Sequence, residues 1–120
     1  MAFKATVRHT GDVAVVDLAG RLTLGEGCGT LRETVKDLLA KKEKKILLNL
    51  EDVTHIDSSG LGEMVGSSAS VAGVGGQIKL LHAQSRVRDL LTVTKLYTVF
   101  ESFTDETQAV ASFTGAPAGV

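Results

Sequence analysis

The run Lys45-Ile-Leu-Leu-Asn-Leu50 constrains the fold more than any other stretch of this chain. A strand with one wet face alternates apolar and polar residues, whereas a strand covered on both faces reads as a nearly continuous apolar run. The sequence therefore predicts a central strand here. Upstream, Phe3 to His9 alternates, Gly11-Asp12 marks a turn, and Val13 to Ala19 supplies a second strand, the pattern of an antiparallel hairpin. Leu31, Val35, Leu38 and Leu39 then recur at helical spacing with Arg32, Glu33, Lys36 and Asp37 between them, and the helix ends in the solvated run Lys41 to Lys45.

Beyond the central strand, Leu61, Met64, Val65, Ser68 and Ala72 fall on one side of a second helix and leave Glu63, Ser67 and Ser70 on the other. Gly66 lowers its propensity, and its small residues suit a close approach to the sheet or to a partner. Gly73-Val-Gly-Gly76 reads as a turn, Gln77 to His82 as a strand, and Arg86 to Leu96 as a helix with Val87, Leu90, Leu91 and Thr94 inward. Val99 to Phe103 reads as a last strand. A final helix begins at the capping-type residue Thr104, with acids in its first turn, and runs to Phe113. Strands alternating with helices after an opening hairpin give an α/β fold with a mixed, centrally parallel β-sheet and right-handed crossovers. Residues 1–113 are expected to form a single domain and 114–120 a loose tail.

Between the central strand and the second helix stands Asp57-Ser58-Ser59-Gly60-Leu61-Gly62. A helix start carries unpaired N–H groups and the positive end of the peptide dipoles, so it favours a carboxylate cap or an acquired phosphate. Asp57, Ser58 or Ser59 can cap the helix. Ser58 is also a candidate for reversible phosphorylation, with Ser59 as the alternative.

The function classes this leaves open are few. A net charge of −1 with balanced acids and bases gives no field to hold nucleic acid or an anionic membrane. Aromatic residues make up 4% and Trp is absent, so base-stacking platforms are lacking. One cysteine, Cys28, rules out an internal disulfide and a cysteine zinc cluster, and reads as a small buried filler. The first nine residues resemble neither a secretory nor a lipidation signal, no apolar run is long enough to span a membrane, and the expected compartment is the cytoplasm.

Motifs of catalysis also fall away. His55, Asp57 and Ser58 have the residue types of a hydrolytic triad, but neighbours on one turn do not place an imidazole between hydroxyl and carboxylate. Gly25-x-Gly27 lacks its third glycine, Thr30 standing there, and reads as a flexible loop. No Lys-Ser or Lys-Thr follows Gly73 to Gly76, which excludes a Walker loop. His9, His55 and His82 show no ligand spacing, although His55 is placed to tune the charge of the serine turn. Arg86 and Arg88 could pair with a phosphate on Ser58, but read first as solvated charges at a helix start.

Taken together, Gly20-Arg21-Leu22, Ile46 to Leu50, Val53-Thr-His-Ile-Asp-Ser-Ser-Gly-Leu-Gly62, Gly76-Gln-Ile-Lys-Leu-Leu81 and Val87-Arg-Asp-Leu-Leu91 resemble the STAS domain. The similarity covers Phe3 to Phe113 and is to the stand-alone bacterial form, the anti-sigma factor antagonist. It implies about four helices packed mainly on one face of the sheet and a phosphorylation switch at Ser58. It also implies two partners, an anti-sigma factor that is a serine kinase of histidine-kinase-like fold and a metal-dependent serine phosphatase. The unphosphorylated domain would bind the anti-sigma factor and release a sigma factor. Thr23 stands where the family commonly has an acid, and Glu63 where many members are apolar.

The resulting expectation is a regulatory binding module without cofactor or metal, not an enzyme, and a monomer or weak dimer. Its partner surface comprises Thr23, Leu24, Gly25, Asp57, Ser58, Ser59, Gly60, Leu61, Gly62, Glu63, Met64 and Ser67. The alternatives are a STAS scaffold subunit of a larger signalling or lipid-transport assembly, and then direct nucleotide binding, for which no phosphate loop is found.

Overall fold

The computed structural model describes residues 3–113, so the tail assigned to 114–120 lies outside the described residues. The elements are β1 (Lys4–Thr10), β2 (Val13–Leu22), α1 (Glu26–Ala40), β3 (Lys45–Ile56), α2 (Ser58–Gly73), β4 (Gln77–Leu81), α3 (Ser85–Val93), a 3-10 turn (Leu96–Thr98), β5 (Ser102–Phe103) and α4 (Glu106–Ser112). The five strands stand in sequence order across one sheet, with β1 and β2 antiparallel and the rest parallel. That order makes β3 central, as its apolar run requires, and Ile46, Leu47, Leu48 and Leu50 are fully buried.

Alternate residues of the strands feed two cores. Ile46 and Leu48 join Val16, Leu18 and Leu80 beneath α1, α2 and α3, which contribute Leu31, Val35, Leu61, Met64, Val71, Val87 and Leu91. Leu47 joins Val13, Val15 and Leu81 on the other face, covered by Ala109 of α4 and by Phe113. Three helices on one face and one on the other agree with the expected architecture.

Several boundaries differ from the sequence reading. The strand read as Lys45 to Leu50 runs on to Ile56, where its second half pairs with the end of β2 through two register shifts. The glycine cluster is not a flexible loop: only Gly25 lies outside α1, as its N-cap with φ +106°, and Gly27 to Gly29 form the first turn. Gly27 is required there because a Cβ would collide with the Arg21 carbonyl. The last strand shrinks to Ser102–Phe103, since Leu96–Thr98 close into a 3-10 turn, and α4 is capped by Asp105 (Oδ2 to Gln108 N, 2.9 Å), not by Thr104.

The face of α2 is also rotated from the expected one. Its buried residues are Gly60, Leu61, Met64, Ser67 and Val71, while Ala72 is exposed. Serine and alanine are too small to fix a helical phase by hydropathy, and the larger Leu61, Met64 and Val71 decide it.

Candidate functional site

The ends of β2 and β3 lie side by side in parallel, Leu22 opposite Ile56, so the β2–α1 loop and the start of α2 emerge at the same edge. Gly60 lets α2 rest on that edge, because a Cβ there would overlap the Leu22 carbonyl. Gly27 does the same for α1 against Arg21. The motif glycine at position 60 is thus a packing requirement between a helix start and a strand end.

Asp57 takes the cap. One carboxylate oxygen accepts from the Gly60 N–H at 2.8 Å and the other from the Leu24 N–H at 3.1 Å. These two bonds, the Gly60 one foremost, hold the Asp57 carboxyl below the usual carboxylate range. With the cap filled, Ser58 is left as the first residue of α2, exposed, and its hydroxyl has no hydrogen-bond partner among the described residues. The opening alternatives of Asp57, Ser58 or Ser59 as cap resolve to Asp57.

The loop tied to Asp57 carries an apolar side chain in solvent: Leu24 is 77% exposed. Thr23 is half-buried, its carbonyl accepting from the Cys28 N–H at 3.2 Å, and Gly25 is exposed. Below the loop, α1 and α2 bound an open groove of about 800 Å³. Val35 and Leu39 line one side, Gly62, Gly66 and Ser70 the other, with Leu24, Cys28 and Ser59 at its upper end. Arg32 crosses from α1 to Glu63 on α2 at 2.7 Å. Glu63 is only 12% exposed beneath it.

The structure brings most of the predicted site residues together at one edge of the sheet. Gly60, Leu61, Met64 and Ser67 are buried in α2. Ser67, expected to be exposed, is 4% exposed, and its hydroxyl has no partner. His55 bonds its neighbour Thr54 at 3.0 Å, and the bonds that lower Asp57 come from backbone N–H groups. Arg86 and Arg88 are exposed at the start of α3 and form no ion pair among the described residues.

Cys28 lines the groove as the filler it was read to be. Burial and the charges of Asp57 and Glu63 push its thiol above the ordinary value, which disfavours a thiolate. The groove residues of α1, Arg32 and Lys36 above all, were missed as site residues. Their i, i+4 spacing put them on one face, but nothing local in the sequence tells which helix that face meets. Among the described residues, no helix is long and apolar enough to cross a membrane.

Comparison with known proteins gives a consistent result. Residues 4–109 match the family model of the STAS domain. Over 79 residues the chain is 35% identical to a candidate anti-sigma factor antagonist homolog of Thermotoga neapolitana, spanning 66% of this chain and 70% of that one. It is 29% identical over 101 residues to the anti-sigma-B factor antagonist of Bacillus subtilis, 84% of this chain and 91% of that one. A crystal structure of a candidate anti-sigma factor antagonist from Thermotoga maritima superposes with a TM-score of 0.84 at 26% identity, covering 92% of this chain and 94% of that one.

Proposed function

This chain belongs to the STAS domain family, and on that premise we propose that it is an anti-sigma factor antagonist acting as a phosphorylation-controlled protein-binding switch. In its unphosphorylated form it binds an anti-sigma factor that is also a serine kinase and so frees a sigma factor. Phosphate on Ser58 blocks that binding, and a serine phosphatase restores it.

One observation carries the reading: Asp57 fills the helix cap, so the Ser58 hydroxyl stands free and exposed at the first position of α2. A phosphate there adds about −1.5 to −2 charge without displacing a bond that the fold uses. The helix dipole tolerates it, so the domain stays folded while its surface gains negative charge. Where a partner covers Ser58, that charge must be stripped of water or set against acids, and both weaken binding.

The surface recognised in this reading is the exposed and half-exposed part of the site: Thr23, Leu24 and Gly25 on one loop, Ser58, Ser59, Gly62 and Glu63 on α2. Leu24 offers exposed apolar area that a partner can remove from water.

The test is to mix the purified chain with candidate kinases of histidine-kinase-like fold and ATP, and to map phosphate by mass spectrometry. Phosphate on Ser58, with loss of the complex as it accumulates, is the expected result. A kinase that binds the chain and phosphorylates it only elsewhere, with the complex unaffected, would overturn the proposal.

A further inference from the structure

The two serines at the head of α2 face different surroundings. Ser59 lines the α1–α2 groove together with Arg32 and Glu63, and Ser58 does not. Ser59 also precedes Glu63 by one helical turn, the i, i+4 spacing that sets two side chains side by side.

Arg32 donates to Glu63 from Nε at 3.1 Å and Nη2 at 2.7 Å, and both bonds go to the same oxygen, Oε1. A guanidinium has five N–H donors. Three of them, both on Nη1 and one on Nη2, therefore have no acceptor among the described residues, on a side chain 68% exposed. One edge of the fork is anchored and the other is open. Cys28 lines the same groove, so the fork and the start of α2 border one open space.

We infer that Arg32 is a built-in receptor for a phosphate on Ser59, binding the phosphomonoester dianion with its open edge while Glu63 holds the other. The modification transfers the γ-phosphoryl group of ATP to Ser59 Oγ, which gives up its proton as the O–P bond forms and ADP leaves. Arginine suits this role because its planar fork meets phosphate oxygens in pairs. Glu63, Asp57 and Glu33 oppose the added charge, and Lys36, one turn along α1 from Arg32, supports it.

This inference rests on the reading of the α2 start as a phosphorylation switch and gives its two serines different meanings. Phosphate on Ser58 presents unneutralised charge to a partner. Phosphate on Ser59 is drawn onto α1, ties the two helices together and is partly neutralised there.

The test uses the full chain with phosphoserine incorporated at position 58 or 59, each in the natural background and with Arg32→Gln. Titration followed by phosphorus NMR reads the second phosphate ionisation. The phosphate at 59 is expected to titrate about one unit lower with Arg32 present than without it, while the phosphate at 58 titrates alike in both. Equal values at 59, or an Arg32-dependent shift confined to 58, would overturn the inference. Should Arg32→Gln not fold, the Arg32 side-chain N–H resonances of the natural background serve instead, moving on phosphorylation at 59 and holding still on phosphorylation at 58. No kinase enters the measurement, so a negative result here leaves the Ser58 switch standing, and the two readings fail in different experiments.

Discussion

The Asp57 carboxylate holds the Leu24 backbone N–H at 3.1 Å across 33 residues of sequence. The same side chain that starts α2 therefore positions the exposed loop beside it. Asp57→Ala removes both bonds and is expected to lower the thermal midpoint by a few degrees and to weaken partner binding even though Ser58 is intact. Asp57→Asn, which keeps one acceptor oxygen, should fall between the two. Unchanged binding by the alanine variant would separate the loop from the recognition surface.

Two glycines two positions apart in α2 predict opposite outcomes. A Cβ on Gly60 runs into the Leu22 carbonyl, which is backbone and cannot swing away, so Gly60→Ala is expected to cost about 2 kcal/mol or more, or to prevent folding. Gly62 has nothing within 4 Å of a Cβ, and Gly62→Ala should stabilise α2 by up to about 1 kcal/mol. Urea denaturation of both variants checks the pair. Loss of partner binding by the more stable Gly62→Ala would then identify the groove as part of the interface.

These glycines also mark how far the sequence could be read. The order of strands and helices was legible because each strand of the sheet carries its own apolar pattern, and the nearly unbroken run at Ile46 to Leu50 identifies the centre without tertiary knowledge. The candidacy of Ser58 followed from a strand-to-helix junction, whereas its exposure depends on Asp57 taking the cap. What was not legible depends on contacts between distant segments. Gly27 and Gly60 are set by the carbonyls of Arg21 and Leu22, and the Arg32–Glu63 pair joins two helices through residues 31 apart in sequence. The misassigned face of α2 has a different cause, the small size of Ser67, Ser68 and Ala72.

Ser58→Glu is expected to weaken partner binding several-hundred-fold, a loss of about 3 to 4 kcal/mol, with little change in thermal midpoint. Ser58→Ala should bind normally and accept no phosphate at that position. Calorimetric titration against the kinase partner and a thermal melt of each variant make the comparison. An acidic variant that unfolds would refute a local switch.

Acid stability should depend on Arg8, whose guanidinium reaches both Asp17 and Glu106 at 2.7 Å. Burial raises Asp17, but its bonds to Arg8 and Asn49 outweigh that and hold it low; Arg8 lowers Glu106 directly. Folded carboxyls that release protons more readily than unfolded ones stabilise the fold above their ordinary values of 3.8 and 4.5. That stabilisation is lost as pH falls through the lower folded values. Since Arg8 and Asp17 are 41% and 34% exposed, the effect is at most about 1 kcal/mol. Arg8→Gln should reduce stability at neutral pH and flatten its decline below pH 4.5, as read by denaturant midpoints across the range.

Lys79 predicts the behaviour of α4. This lysine is 8% exposed, and its ammonium donates to the Ser112 carbonyl at 3.1 Å and hydroxyl at 2.8 Å, with Glu101 at 3.1 Å. It also lies 4.9 Å and 5.7 Å from the centres of the Phe113 and Phe103 rings. A seven-residue helix is too short to persist alone, and the last four carbonyls of any helix have no i+4 N–H of that helix to accept from. A cation at that end satisfies one of them and complements the dipole. Lys79→Met keeps most of the length and apolar contact while removing the hydrogen bonds, and should cost about 1 to 2 kcal/mol. Hydrogen exchange distinguishes a local latch from a general loss: amides of α4 should exchange faster in the variant by more than the drop in global stability explains, while those of α1 and α2 follow that drop alone. Uniform acceleration across all three helices would show that Lys79 supports the whole core and not α4 in particular.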